Sequence, residues 1–253
     1  MIVDAHAHIG KWYYPTAQLT VPDMLAYMTR YGIDVSILSS TLAIVYDARE
    51  GNQELAQAIE GCPQLLGYVS VNLNYLEESL EELDRYLGSG AKQGGAARFV
   101  GVKVHPLLAR HRYDTPEGMA LTRAVAAYGV PILVHTFGSA LESPWNVLPA
   151  ARANPEVPII LGHMGGDCWW EGIRVARESP NLYLEVCSTW TDPEKVRLAV
   201  AAVGAERVLF GSDATLFDAA YALGAMEDAG LSAEERALIM GGNARRLFGI
   251  KRS

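Results

Sequence analysis

Eight short apolar runs, each followed by a longer stretch with apolar residues at helical spacing, constrain this chain more than any other feature. The runs cover residues 2–8, 35–39, 66–73, 99–105, 132–137, 159–163, 182–187 and 208–212. The amphipathic stretches cover 24–30, 52–60, 76–87, 117–128, 147–153, 170–178, 193–203 and 217–228. A helix over 233–247 comes last, with Ser232 as its N-cap and Glu235 at capping-box distance. Several runs are apolar at both parities, as in 131–134 and 158–161, which is how strands buried on both faces of a parallel sheet read. Strands alternating with helices imply βαβ crossovers. Eight such units fit a closed (β/α)8 TIM barrel, which takes about 250 residues as one domain. No linker or composition break divides the chain, so the expectation is a single domain over 1–253 with an extra C-terminal helix. The rival, an open doubly wound sheet, should carry a glycine-rich phosphate turn after its first strand. Here that turn is HAHIGKWYY, and no GxGxxG, GxxxxGK[ST] or GxSxG occurs.

Charge and cysteine content narrow the setting. Twenty-one basic residues against 29 acidic ones give a net charge of −8, which offers no electrostatic route to nucleic acid or an anionic membrane surface. No run of about 18 apolar residues occurs, so no membrane span is expected. The start, MIVDAHAHIG, lacks the basic and long apolar segments of a signal peptide. Cys62, Cys168 and Cys187 form no CxxC pair and suit free thiols in a reducing cytoplasm. A homodimer is the default expectation for assembly, because closed two-fold dimers are the commonest soluble oligomers.

The chemistry-bearing residues gather at predicted strand ends. His6 and His8 end the first run two apart, so both point to one side at the rim where barrel active sites lie. Two imidazoles on one face suit Zn2+ or a similar transition metal. Lys103 and His105 end the fourth run. A lysine within an apolar strand needs a partner or a modification. It could contact an anionic substrate, pair with Asp213, or carry a carbamate bridging two metals; His105 more often packs than ligates. His135 ends the fifth run and His163 the sixth, and Asp213 follows the eighth. A carboxylate there would hold a metal or a cation and could act as a general base. Arg110 and Arg112 flank His111 in a loop, either solvated or placed to bind a substrate carboxylate. Trp12, Tyr13, Tyr14, Trp169, Trp170 and Trp190 lie on predicted rim loops and would either cover the barrel mouth or enclose a flat or cyclic ligand.

Taken together, these residues resemble the amidohydrolase superfamily, and most of all the branch that holds aminocarboxymuconate-semialdehyde decarboxylase, resorcylate-type decarboxylases and pyrone-dicarboxylate lactonase. The resemblance covers nearly the whole chain, through DAHAH at 4–8, GVKVHP at 101–106, LVHT at 133–136, GHMGG at 162–166, LFGSDA at 209–214 and GGNARRLFGI at 241–250. It implies metal ligation by His6, His8, His135 and Asp213, with His163 either handling the proton of a metal-bound water or binding a second metal. It implies a divalent metal, foremost Zn2+, with one ion favoured over two. It places Lys103 where binuclear members carry a carbamylated lysine. One departure is the run Ser212-Asp213-Ala214-Thr215, where the branch often has proline two after the aspartate. The leading expectation is a metal-dependent hydrolase of a lactone or amide, with Asp213 and His163 catalytic. The alternative is a lyase at the same site, decarboxylating or hydrating an unsaturated or aromatic carboxylic acid held by Lys103, Arg110 or Arg112. A non-catalytic binding barrel is the third reading.

Overall fold

The structure is a computed structural model and describes residues 1–16, 19–88, 98–188, 190–214 and 216–251. Thr215, part of the departure noted above, lies outside the described residues. The chain alternates strand and helix from end to end. The strands are β1 Val3–Ile9, β2 Val35–Ser40, β3 Leu65–Val71, β4 Phe99–Val104, β5 Ile132–His135, β6 Ile159–Gly162, β7 Leu182–Glu185 and β8 Val208–Leu209. Each pairs in parallel with the next, in the order β1 to β8. The segment after β8 closes the ring on β1: Ala5 N–H donates to Phe210 O at 3.0 Å, Asp213 N–H to His6 O at 2.7 Å and His8 N–H to Ala214 O at 2.5 Å. This is the (β/α)8 barrel that the alternation implied.

Local chemistry starts the helices where the pattern placed them. Thr20, Asp47, Thr115 and Asp192 accept from backbone N–H groups at N3 of helices Val21–Tyr31, Ala48–Ala58, Pro116–Val125 and Pro193–Val203. Proline in the first turn of three of them suits a position whose N–H has no helical partner. Ser232 and Glu235 form the expected reciprocal capping box. The last helix is not continuous, however. It runs Ala233–Ala237, passes through a π-helical turn at Leu238–Gly242 and resumes as Asn243–Leu247. Two adjacent glycines in that turn are poor helix formers, and Asn243 Nδ2 ties the resumed helix to Ala205 O and Val208 O at 2.7 and 2.8 Å.

The apolar residues sort onto two sides of the sheet. Ile132 and Val134 of β5 and Ile159 and Leu161 of β6 join the core between sheet and helices. Leu133 and Ile160 instead join an inner cluster with Leu66, Tyr68, Leu209, Phe248 and Ile250. That cluster fills the barrel below the strand ends. His135 lies two residues beyond Leu133 and therefore shares its inward side. Leu133→Ala should cost about 2–5 kcal/mol, the range for emptying a packed core site. At this chain size each kcal/mol lowers Tm by roughly 2–4 °C. A loss under about 1 kcal/mol by urea unfolding would show that the inner cluster is not packed as described.

Candidate active site

Strand ends bring the expected residues to one rim. His6 and His8 end β1, Lys103 lies in β4, His135 ends β5, His163 follows β6 and Asp213 follows β8. His6, His8, Lys103, His163 and Asp213 are all buried. Their placement needs unusual backbone. His163, Met164, Gly165 and Gly166 take positive φ in succession, and Asp213 has φ 52°. Such values in non-glycine residues cost energy and gather at functional positions. Gly166 is required outright, since a Cβ there would overlap the Phe137 ring.

The expected residues form two groups that meet at His6 and His163, whose ring centroids are 4.9 Å apart. His6, His8 and Asp213 offer ligand atoms that all lie within 4.8 Å of one another. His8 Nε2 is 3.1 Å and His6 Nε2 3.7 Å from Asp213 Oδ1. That oxygen is buried with no aligned hydrogen-bond donor. A buried carboxylate oxygen facing two imidazoles without a donor fits a cation site. Ser39 Oγ lies 2.9 Å from His8 Nδ1 and orients the ring from behind.

His135 and His163 make the second group. His163 Nε2 lies 2.9 Å from His135 Nδ1, and His163 Nδ1 lies 2.9 Å from Cys187 O. A carbonyl only accepts, so His163 Nδ1 carries hydrogen and neutral His163 accepts from His135. His135 Nε2 in turn meets Glu142 Oε2 at 3.0 Å, and Ser139 Oγ donates to Glu142 Oε1 at 2.8 Å. Both nitrogens of His135 are thus engaged away from Asp213. His105 stacks on His135 with centroids 3.8 Å apart, the packing role expected of it.

Lys103 is 1% exposed. Of the partners weighed for it, the structure supplies a different one: Nζ lies 2.6 Å from His6 Nε2. Burial pushes its ammonium down to about 8, against the opposing pull of Asp213, Cys187 and Glu185. Arg112 is exposed and forked onto Asp114, at 2.9 and 2.5 Å. Arg110 is exposed and ends a short helix in the left-handed region. A two-residue step to a local acid satisfies Arg112 without any substrate, so neither arginine joins the buried groups. Of the rim aromatics, Trp12 is buried edge-on to His8, at 5.1 Å. Tyr13, Trp170 and Trp190 are about half exposed, so they fringe the mouth rather than line the site.

Sequence reasoning missed Glu185, Cys187 and Glu142. Glu185 sits inside the apolar run 182–187, where an acid on a buried strand was itself a signal. Glu142 lies in a loop and gave none. Burial pushes Glu185 up to about 8 and the Cys187 thiol well above its usual range. Burial also raises the Asp213 carboxyl, but His8, His163 and Lys103 outweigh it and the net direction is down.

A sequence profile of the family described as Amidohydrolase matches residues 3–250. No curated protein matches the chain significantly. Among solved structures, 2,6-dihydroxybenzoate decarboxylase from Rhizobium superposes with a TM-score of 0.79 at 19% identity, covering 98% of each chain. A dihydroxybenzoic acid decarboxylase from Polaromonas sp. JS666, with bound manganese and 2-nitroresorcinol, gives 0.79 at 18% identity over 100% of this chain and 98% of that one. The 5-carboxyvanillate decarboxylase of Sphingomonas paucimobilis gives 0.79 at 16% identity, covering 99% of both. These likenesses show the shared barrel.

The buried imidazoles predict an acid-sensitive fold. Burial lowers His6, His8, His105 and His135, and it lowers His163 from 6.5 to about 4. Between those two values the unfolded chain binds more protons than the folded one, so stability is full above pH 6.5 and falls as pH drops toward 4. His163 alone accounts for about 3 kcal/mol at most. In chelator-treated protein, Tm should drop steeply as pH falls below 6.5, with a shallower drop in His163→Gln; an equal slope in the variant would contradict this.

Proposed function

Because the chain belongs to the amidohydrolase family, we propose that it is a metal-dependent, non-oxidative decarboxylase of an aromatic or unsaturated carboxylic acid. The observation that carries this reading is Lys103, a buried cation beside His6 at the floor of the site. A buried ammonium is costly unless an anion joins it, and a substrate carboxylate or phenolate is such an anion. The likeness to three decarboxylases of near-equal length supports the same reading.

His6, His8 and Asp213 would hold one divalent cation, with Asp213 Oδ1 as the oxygen donor. This nitrogen and oxygen set suits Zn2+ or Mn2+. When bound, the cation supplies Lewis-acid stabilisation of a substrate oxygen. Lys103 holds the anionic group of the substrate. Trp12 and Phe137 flank the histidines and keep water from their edges. The reaction replaces the bond between ring carbon and carboxylate by a bond to hydrogen: one proton and the carboxylic acid anion give the arene and CO2. His163 handles that proton. Glu142, its carboxyl raised by burial, can give a proton to His135 Nε2 as His135 Nδ1 passes its own to His163 Nε2, which leaves Glu142 ionised, His135 neutral and His163 positive.

The hydrolytic reading uses the same donors and gives Lys103 the stabilisation of an oxyanion. Its support is the family description alone. Manganese- or zinc-loaded protein should release CO2 from dihydroxybenzoates and leave a panel of lactones intact. Lys103→Met should lower kcat/KM about ten- to a hundredfold, the worth of one hydrogen bond to a charged group. Lactone turnover without CO2 release would replace the decarboxylase with a hydrolase.

A further inference from the structure

Beneath His6 lies a carboxyl group that no substrate reaches. Glu185, at the end of β7, is fully buried. Three groups converge on its Oε2: His6 Nδ1 at 2.8 Å, the His163 backbone N–H at 3.1 Å and the Cys187 thiol at 3.0 Å. Ionised, Glu185 accepts from His6 Nδ1 as it does from the His163 N–H; protonated on Oε2, it donates to Nδ1 instead. The other side of the ring decides between the two. Lys103 Nζ, 2.6 Å from Nε2, is a donor to that nitrogen, which places the lone pair there. The same nitrogen lies 3.7 Å from Asp213 Oδ1.

The carboxyl cannot turn away from this duty. Its Oε1 has no hydrogen-bond partner. A Cβ at residue 211 would overlap that oxygen and stand 2.9 Å from His6 Cβ, so only glycine lets the β8 segment pass this close. An unpartnered buried oxygen is costly. The chain tolerates it while keeping the other oxygen on His6.

We propose that Glu185 is a positioning residue for the cation site: it locks His6 in the tautomer and rotation that present Nε2 to a divalent metal. The proposal rests on the metal site assigned above to His6, His8 and Asp213. Carboxylates behind metal-binding histidines do this elsewhere, and their loss typically weakens metal binding about 10–100-fold.

The test uses the full chain, stripped of metal, with 15N-labelled histidine; His6→Gln assigns the His6 signals. The expected wild-type spectrum has hydrogen on His6 Nδ1. Glu185→Leu should shift the Nδ1–H signal upfield as its acceptor is lost, and weaken Mn2+ binding about 10–100-fold by titration calorimetry. Glu185→Gln, whose amide oxygen still accepts the Nδ1–H, should keep the tautomer and most of the affinity. If Glu185→Leu does not fold, Gly211→Ala makes the same test by displacing the carboxyl without removing it. Hydrogen on Nε2 in the wild type would overturn the proposal. So would undiminished Mn2+ affinity in the folded Leu variant, or in Gly211→Ala where that one fails to fold. The spectrum is read without metal or substrate, so a failure to release CO2 with that change in the Nδ1–H signal intact counts against the decarboxylase reading and leaves Glu185 in its role.

Discussion

The seam between the first and last strands is the constraint on which the site depends. Three backbone hydrogen bonds join 5–8 to 210–214 and shut the barrel. Without them Asp213 has no fixed relation to His6 and His8, from which it is separated by some 200 residues. Asp4 reinforces the seam from below: its carboxyl accepts from Ser212 N–H at 2.9 Å and Ser212 Oγ at 2.6 Å. The positive φ of Asp213 is a conformation that isolated chain avoids, and closure imposes it. One set of hydrogen bonds therefore performs two tasks. It removes the open sheet edges that an eight-stranded sheet would expose, and it assembles the two-imidazole, one-carboxylate group.

Closure also dictates the electrostatics. Groups drawn into the barrel lose water, and each imidazole at the rim is held neutral as a result. Neutral imidazoles offer a lone pair and a hydrogen on opposite edges of one ring, so each must be told which edge is which. Fixed partners do this for two of them, Lys103 and Glu185 for His6 and the Cys187 carbonyl for His163, while the Ser39 hydroxyl meets His8 Nδ1 in either role. The polarity beneath the site is thus the wiring of its rings and not a reserve of charge.

Much of this was legible in the sequence because barrel strands must be apolar on both sides and helices must be amphipathic, a rhythm that cannot be hidden. The eight runs match the eight strands closely, and Lys103, His135, His163 and Asp213 fall at strand ends as read. The errors have a common origin. Run 208–212 yields only two residues of β8, because residues 210–214 bond across the closure to β1 and beyond it, a long-range effect invisible locally. Arg110 and Arg112 read as either solvated or substrate-binding, and local spacing does not reveal that Asp114, two residues on, pairs with Arg112. Glu142 reaches His135 only through the fold of its loop, and sequence spacing carries no trace of that contact.

The barrel interior explains why such a costly site can be maintained. Its lower half is a plug of Leu66, Tyr68, Leu133, Ile160, Leu209, Phe248 and Ile250, contributed by separate strands and by the C-terminal segment that folds back beneath them. At about 25 cal/mol per Å2 of buried apolar area, a plug of this kind offsets the desolvation of groups stacked above it. Tyr68 marks the boundary: its ring packs on Phe248, and its hydroxyl donates to Ala5 O at 2.6 Å, one residue before His6. Below that hydrogen bond the interior is oil and packs for stability. Above it the polar groups largely hold one another, and the buried oxygens left without a partner include Ser70 Oγ, Glu185 Oε1 and Asp213 Oδ1. The two carboxylate oxygens differ in surroundings. Glu185 Oε1 is walled in by Gly211, whereas Asp213 Oδ1 lies 3.7 and 3.1 Å from the Nε2 atoms of His6 and His8. A closed-off orphan goes with the proposed hold on His6; an orphan beside two imidazoles is where the proposed cation would bind.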